Sequence, residues 1–340
     1  MTETPFDHPP TRPRRPRRRP GRWVAFGITV LLLGGLVALS PWDPSRRQAY
    51  ADQLVVWTEP PSEQITRLAE RIELTETGRR IFFASRPQLD QADDFQAHCP
   101  VEAEVVLGCY YRSQIYVYDV TDERLAGTVE ATAAHELLHA VYDRMTPEQR
   151  APVDALIAQY VATLPETDRD VKIVATYPED QRADEWHSRL GNSHERLPDA
   201  LETHYAEVFS NRAQVVGYAT RATQQLDGYT SRIDQLSAEL DTTSGELQSR
   251  SAAYDAASAA LDADIAAFNA RADAGTFDSQ AQFDAERAKL VARQNTLESD
   301  RVQLNADVDA YNAKVEELTS LDAQRAELYA KLDSRSAPAS

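Results

Sequence analysis

From residue 199 to residue 337 the chain contains no proline. Proline removes a backbone donor and clashes with the preceding helical turn, so nothing in this stretch forbids continuous helix. Tyr229, Ile233, Leu236, Leu240, Leu247, Tyr254, Leu261 and Phe268 share one a/d heptad frame, with Thr243, Arg250, Ala257 and Asp264 in its remaining slots. After residues 272–279, which hold Gly275, a second series recurs every seven residues: Phe283, Leu290, Leu297, Leu304, Tyr311 and Leu318, joined by Val308 and Val315. Two heptad helices of ~50 residues with a turn between them predict an antiparallel coiled-coil hairpin over 213–335, ~75 Å long. A spacer is the plain role of such a hairpin; self-association or capture of a partner protein are the others.

The other end of the chain carries a different signal. Residues 23–39 (WVAFGITVLLLGGLVAL) hold no charge, and Trp23 and Trp42 bracket them. That is the short end of what spans a ~30 Å hydrocarbon core, so a transmembrane helix is expected at 23–40. Residues 1–22 carry seven arginines, interleaved with prolines, and are expected to be a disordered basic tail. By the positive-inside rule that tail is cytoplasmic and everything after residue 40 is extracytoplasmic. A cleaved signal peptide ending near residues 38–40 is the competing reading and leaves the same residues outside. The whole chain has a net charge of -18, and the positive tail makes the remainder more acidic still, which argues against nucleic-acid partners. Cys99 and Cys109 are the only cysteines. In an oxidising compartment they would close a short loop around Gly108; otherwise they are two buried thiols.

Between anchor and hairpin the pattern predicts a tether at 41–61 and a catalytic-type domain at 62–212. A helix is expected from Ser62 as N-cap, followed by a short strand at 81–84. Further strands are expected at 104–107 and at 114–120, where QIYVYDV alternates and is rich in β-branched and aromatic residues. Helices are expected at 127–145, from Thr146–Pro147 onward, at 178–190 ended by Gly191, and at 198–209, with a strand at 171–175. The fold class is therefore α+β: a mainly helical domain with a small sheet, one membrane helix before it and a long helical hairpin after it.

His135-Glu136-Leu137-Leu138-His139 is the sharpest motif. Residues four apart share a helix face, so His135 and His139 can bind one zinc ion, and a catalytic site adds a third protein ligand and a water. Glu136 is placed to take a proton from that water and hand it to a leaving amine. Strand 114–120 is a candidate edge for pairing with a substrate backbone. Glu185, in ADEWHS, is the expected third ligand; His187, His194, Glu195, Glu202 and His204 are the competitors. With Glu185 as ligand, His187 becomes a candidate donor to the oxyanion of the reaction. Asp184 and Asp199 are candidate acceptors for imidazole N–H groups, and Tyr142 reads as packing.

On HELLH plus ADEWHSRLG the chain resembles the zincin-like metallopeptidases of the glutamate-ligand (gluzincin) type. The stretch from GCYYRSQIYVYDV through AAHELLHAVYDRM to EWHSRLG and LPDALETHYAEVF also resembles bacterial membrane-anchored proteins with a C-terminal coiled coil. The resemblance covers roughly residues 80–215. It implies zinc at His135, His139 and Glu185, with Glu136 as general base. It departs from the family pattern at Arg189, where an acidic residue or histidine is usual. The expected function is a membrane-anchored extracytoplasmic zinc metallopeptidase acting on a peptide, a protein or a cell-wall peptide. The alternatives are a catalytically inactive zinc-binding scaffold at the envelope, or a hydrolase of peptidoglycan crosslinks.

Overall fold

The computed structural model describes residues 1–2, 44–99 and 106–334. The chain divides into two units, residues 1–51 and 52–340. Apart from Met1 and Thr2, the expected basic tail lies outside the described residues, as does the expected membrane segment. Among the described residues no helix is long and apolar enough to cross a membrane. Of the strand expected at 104–107, residues 104–105 also fall outside them, and 106–107 are not in a strand, which begins only at Gly108.

The expected tether is instead largely helix α1 (Pro44–Thr58). Its Asp52 is buried and receives both hydrogen bonds of Arg144 Nε, at 3.1 and 3.2 Å, which ties this turn to the domain. Helix α2 (Glu63–Arg71) starts where Ser62 accepts from Ile65 N, and buries Ile65, Leu68 and Ala69. Residues 81–84 are helical rather than extended. They end α3 (Glu76–Ala84), whose N-cap Thr75 accepts from Gly78 N at 3.0 Å. A four-residue apolar run carries no period, so the cap upstream decides its conformation.

Three strands follow: β1 (Gln88–Asp90), β2 (Gly108–Tyr111) and β3 (Gln114–Tyr118), with α4 (Ala92–His98) between the first two. Their order is β1-β3-β2, β1 parallel and β2 antiparallel to β3. The strand expected to offer a free edge is thus the central one, and β1 and β2 are the edges. The β2–β3 turn is Arg112–Ser113, both at positive φ (51° and 62°), the conformation of a type I′ hairpin made without glycine. Cys99 and Cys109 are joined as a disulfide, which staples the end of α4 to the edge strand.

Helix α5 (Thr128–Arg144) crosses the sheet and buries Ala133, Ala134, Leu137, Leu138 and Ala140 completely. Helix α6 (Pro147–Val161) adds Val153 and Ile157 to the same core. The strand expected at 171–175 is helix α7 (Arg169–Ala175), capped by Asp168. Helix α8 (Arg182–Ser193) runs through Gly191 rather than ending there. A Cβ at Gly191 would lie 2.6 Å from both Leu138 Cδ1 and Tyr205 Cε1, so glycine is what lets α8 lie against α5. Helix α9 (Asp199–Tyr205) supplies Leu201 and Tyr205 to the core; the expected helix stops four residues later in sequence.

The long helices are α10 (Arg212–Asp273) and α11 (Gln280–Leu332). They run antiparallel: Arg232 pairs with Glu317, Glu239 with Lys314, Arg250 with Asp307, Asp264 with Arg293 and Arg271 with Glu286. Phe268, Phe277 and Phe283 close the tip, with ring centroids 5.0–5.2 Å apart. Ile233, Leu236, Leu240 and Leu261 are buried as the heptad frame requires, whereas Val308 and Val315 stay exposed. At the base, Val215 and Val216 enter the domain core, and Leu328 and Leu332 close over Leu125.

Candidate metal centre

The site is built where α5 and α8 cross. His135 and His139 stand one turn apart on α5, and Glu185 reaches them from the first turn of α8. His135 Nε2 lies 3.2 Å from His139 Nε2. Glu185 Oε2 is 3.5 Å from His139 Nε2, and Oε1 is 3.8 Å from His135 Nε2. A tetrahedral site with metal–ligand bonds of roughly 2.0–2.2 Å puts its donor atoms about 3.3–3.6 Å apart. The His139–Glu185 separation falls in that range and the other two lie within about 0.2 Å of it, and the ligand atoms all fall within 4.8 Å of one another, so these three residues could hold one metal ion.

The surroundings support a cation. Asp184 Oδ1 sits 2.9 Å from His139 Nδ1, which orients the ring and leaves Nε2 facing the other ligands. Burial and the neighbouring His139 hold the His135 imidazole neutral, down to about 3. Burial also opposes charge on His139, but its hydrogen bonds to Asp184 and Glu185 outweigh it and raise the ring to about 10. Burial pushes Glu185 up, yet the His139 hydrogen bond and the charges around it bring the carboxyl down to about 2. The cluster is thus a nest of negative potential that holds a proton on His139 at neutral pH, where a metal ion would compete for the same nitrogen.

Glu136 points the other way from the core leucines. It is 6% exposed, and burial lifts its carboxyl to about 7. It faces the edge strand: a Cβ at Gly108 would lie 2.8 Å from Glu136 Oε1 and 2.5 Å from Thr132 Cγ2. Glycine at 108 is what brings the strand onto the helix here. Leu107, just before β2, and Cys109 and Tyr111 within it lie at hydrogen-bonded positions toward β3, since Tyr118 N donates to Leu107 O and the two-residue turn closes at 111–114. The backbone groups of Gly108 and Tyr110 consequently point to the outer edge, beside Glu136.

A cavity of about 680 Å³ opens over these groups, lined among others by Gly108, His135, Glu136, Tyr177, Asn192 and Thr220. One wall belongs to the hairpin: Ala219, Thr220, Ala222 and Thr223 of α10.

His187 is not brought to the site. Two positions after Glu185 it falls on the opposite side of α8, is fully buried, and places Nε2 2.9 Å from His204 Nε2. Tyr142 and Tyr205 pack on its ring, and the Tyr205 hydroxyl donates to its carbonyl. The other competitors are engaged elsewhere: His194 with Asp170, and Glu202 with Arg212. Glu195 lines the cavity without joining the ligand group. Asp199 stays exposed at the start of α9, and the Tyr142 hydroxyl donates to Asp154.

Sequence reasoning missed the glycine approach at 108, Tyr177, and the hairpin's share of the cavity wall. It met Arg189 as a departure from a pattern. In the structure Arg189 Nε donates to Glu185 Oε1, an i,i+4 pair that the spacing alone offers as a signal. No family model, no curated protein and no solved structure matches the chain.

Proposed function

We propose that the protein is a zinc metallopeptidase held at the outer face of a membrane by residues 23–40. The observation that carries this reading is the convergence of His135, His139 and Glu185 beside a buried Glu136 that faces both a cavity and a sheet edge. Two imidazoles and one carboxylate near tetrahedral spacing favour zinc among the common divalent ions. A zinc ion there would supply Lewis acidity, making a water easier to deprotonate and a peptide carbonyl easier to attack.

The chain's own residues do the rest. Asp184 fixes the tautomer and orientation of His139. Glu136 accepts the proton of the attacking water and returns it to the leaving amine, a shuttle that its position between the ligands and the substrate edge allows. An extended substrate pairs with the outward backbone groups of Gly108 and with the Tyr110 carbonyl, while the Tyr110 N–H donates to the Glu136 carboxylate. The disulfide at Cys109 keeps that edge in register with the helix. The coiled-coil hairpin sets the domain's reach and walls the cleft with Ala219, Thr220, Ala222 and Thr223. The substrate is a peptide, in a protein or a cell-wall stem.

Metal analysis and digestion of quenched peptide and wall-fragment pools test this. The expected result is one zinc per chain and a hydrolysis that Glu136→Gln lowers about 10²–10⁴-fold while the zinc remains. Full activity in Glu136→Gln, or a metal-replete wild type without zinc, overturns the reading.

A further inference from the structure

Arg189 is the oddest neighbour of the ligand group. A guanidinium against a carboxylate that is to bind a cation subtracts the charge that attracts the cation. Yet it is built in firmly. Its Nε donates to Glu185 Oε1 at 2.5 Å, and its Nη1 donates to Asp170 Oδ1 at 3.0 Å. Asp170 is held in turn through its second oxygen, by Ser193 Oγ at 3.0 Å and His194 Nε2 at 3.1 Å. His194 Nδ1 then meets the Tyr160 hydroxyl at 3.3 Å. The side chains of Glu185, Arg189 and Asp170 are 3%, 20% and 13% exposed, so the chain of contacts runs through the interior from α7 to α8.

The consequence lies in which oxygen is left over. Oε1 is occupied by Arg189 and stands 3.8 Å from His135 Nε2, whereas Oε2 stands 3.5 Å from His139 Nε2. We propose that Arg189, anchored by Asp170, is a positioning residue that makes Glu185 a one-oxygen ligand. By engaging Oε1 it leaves Oε2 alone for the ion and keeps a fourth coordination position open. A carboxylate free to bind through both oxygens would crowd that position, and a hydrolytic site needs it for water. The arginine is then no defect of the motif. It does through Oε1 what an acidic partner does elsewhere through an imidazole, holding a ligand in one orientation. This inference rests on the metal-binding reading of the site.

The test is the visible spectrum of the cobalt(II)-loaded full-length protein, read per bound ion. The wild type is expected to show the intense absorption of four-coordinate cobalt. Arg189→Met releases Oε1, and the absorption is expected to fall severalfold as the coordination number rises. Asp170→Asn, which touches no ligand, is expected to shift the spectrum the same way by less. Arg189→Lys, which keeps a cationic donor near Oε1, is expected to recover most of the intensity. Should Arg189→Met not fold, Asp170→Asn and Arg189→Lys carry the comparison. Variants that lose thermal stability but keep the wild-type spectrum per ion overturn the clamp and leave the metal site standing. A wild type that takes up no cobalt and no zinc overturns both.

Discussion

The domain and the hairpin are both laced with ion pairs, but they use them differently. In the domain, Glu185, Arg189 and Asp170 are largely buried, and each oxygen has an assigned partner. Removing one member of such a set strands the others away from water, which in buried networks costs about 3–5 kcal/mol. In the hairpin, the partners of Arg232, Arg250, Asp264 and Lys314 are open to solvent on both sides. Pairs of that kind fix alignment more than they add stability. The buried set fixes the orientation of a candidate metal ligand; the exposed pairs keep a long rod in register.

Three measurements sharpen or break that contrast. The largest effect is expected at Asp184, which holds His139 from behind. Asp184→Asn should weaken zinc binding about 10–100-fold in a chelator competition, because an amide is a poorer acceptor for the imidazole N–H. An unchanged affinity would mean that the packed α5–α8 interface orients the ring by itself. The next effect is pH. His139 is raised to about 10 by its acidic neighbours, so it is protonated at neutral pH and must lose that proton to bind an ion. Apparent zinc affinity should fall about tenfold for each unit of acidification below neutrality, with one proton released per ion by calorimetry in different buffers. No proton release would remove the buried-charge half of the contrast. The smallest effect is expected from excising residues 251–306, whose flanking Arg250 and Asp307 already pair. Joined by a short glycine-rich turn, the protein should keep its zinc affinity, because the hairpin lines the cavity through Ala219, Thr220, Ala222 and Thr223, far from the excised residues. A loss of zinc would show that the distal rod supports the site.

The sequence was most informative where chemistry and period coincide. HELLH declares its helix, its face and its candidate ligands together, and Leu137 and Leu138 are buried as the pattern requires. Heptad spacing carried the hairpin and its turn near Gly275 for the same reason. It failed where geometry is set by something other than period. The β2–β3 turn uses Arg112 and Ser113 at positive φ, with no glycine or asparagine to betray it, so the central strand was mistaken for an edge. Val171, Ile173 and Val174 suggest a strand, but Asp168 caps their backbone and makes them a helix. Gly191 reads as a helix stop and is instead the close contact that lets α8 reach α5. Arg189 matches no motif because its role depends on Asp170, nineteen positions earlier and one helix away.

The three-phenylalanine tip has a mechanical side. From Val216, buried at the base, to the end of α10 at Asp273 the rod extends ~85 Å. A rocking of about 5° at that base carries the tip through an arc of ~7 Å over that length. The same rocking moves Thr220, beside the pivot, far less. The tip is in effect the long arm of a lever whose short arm is one wall of the cavity.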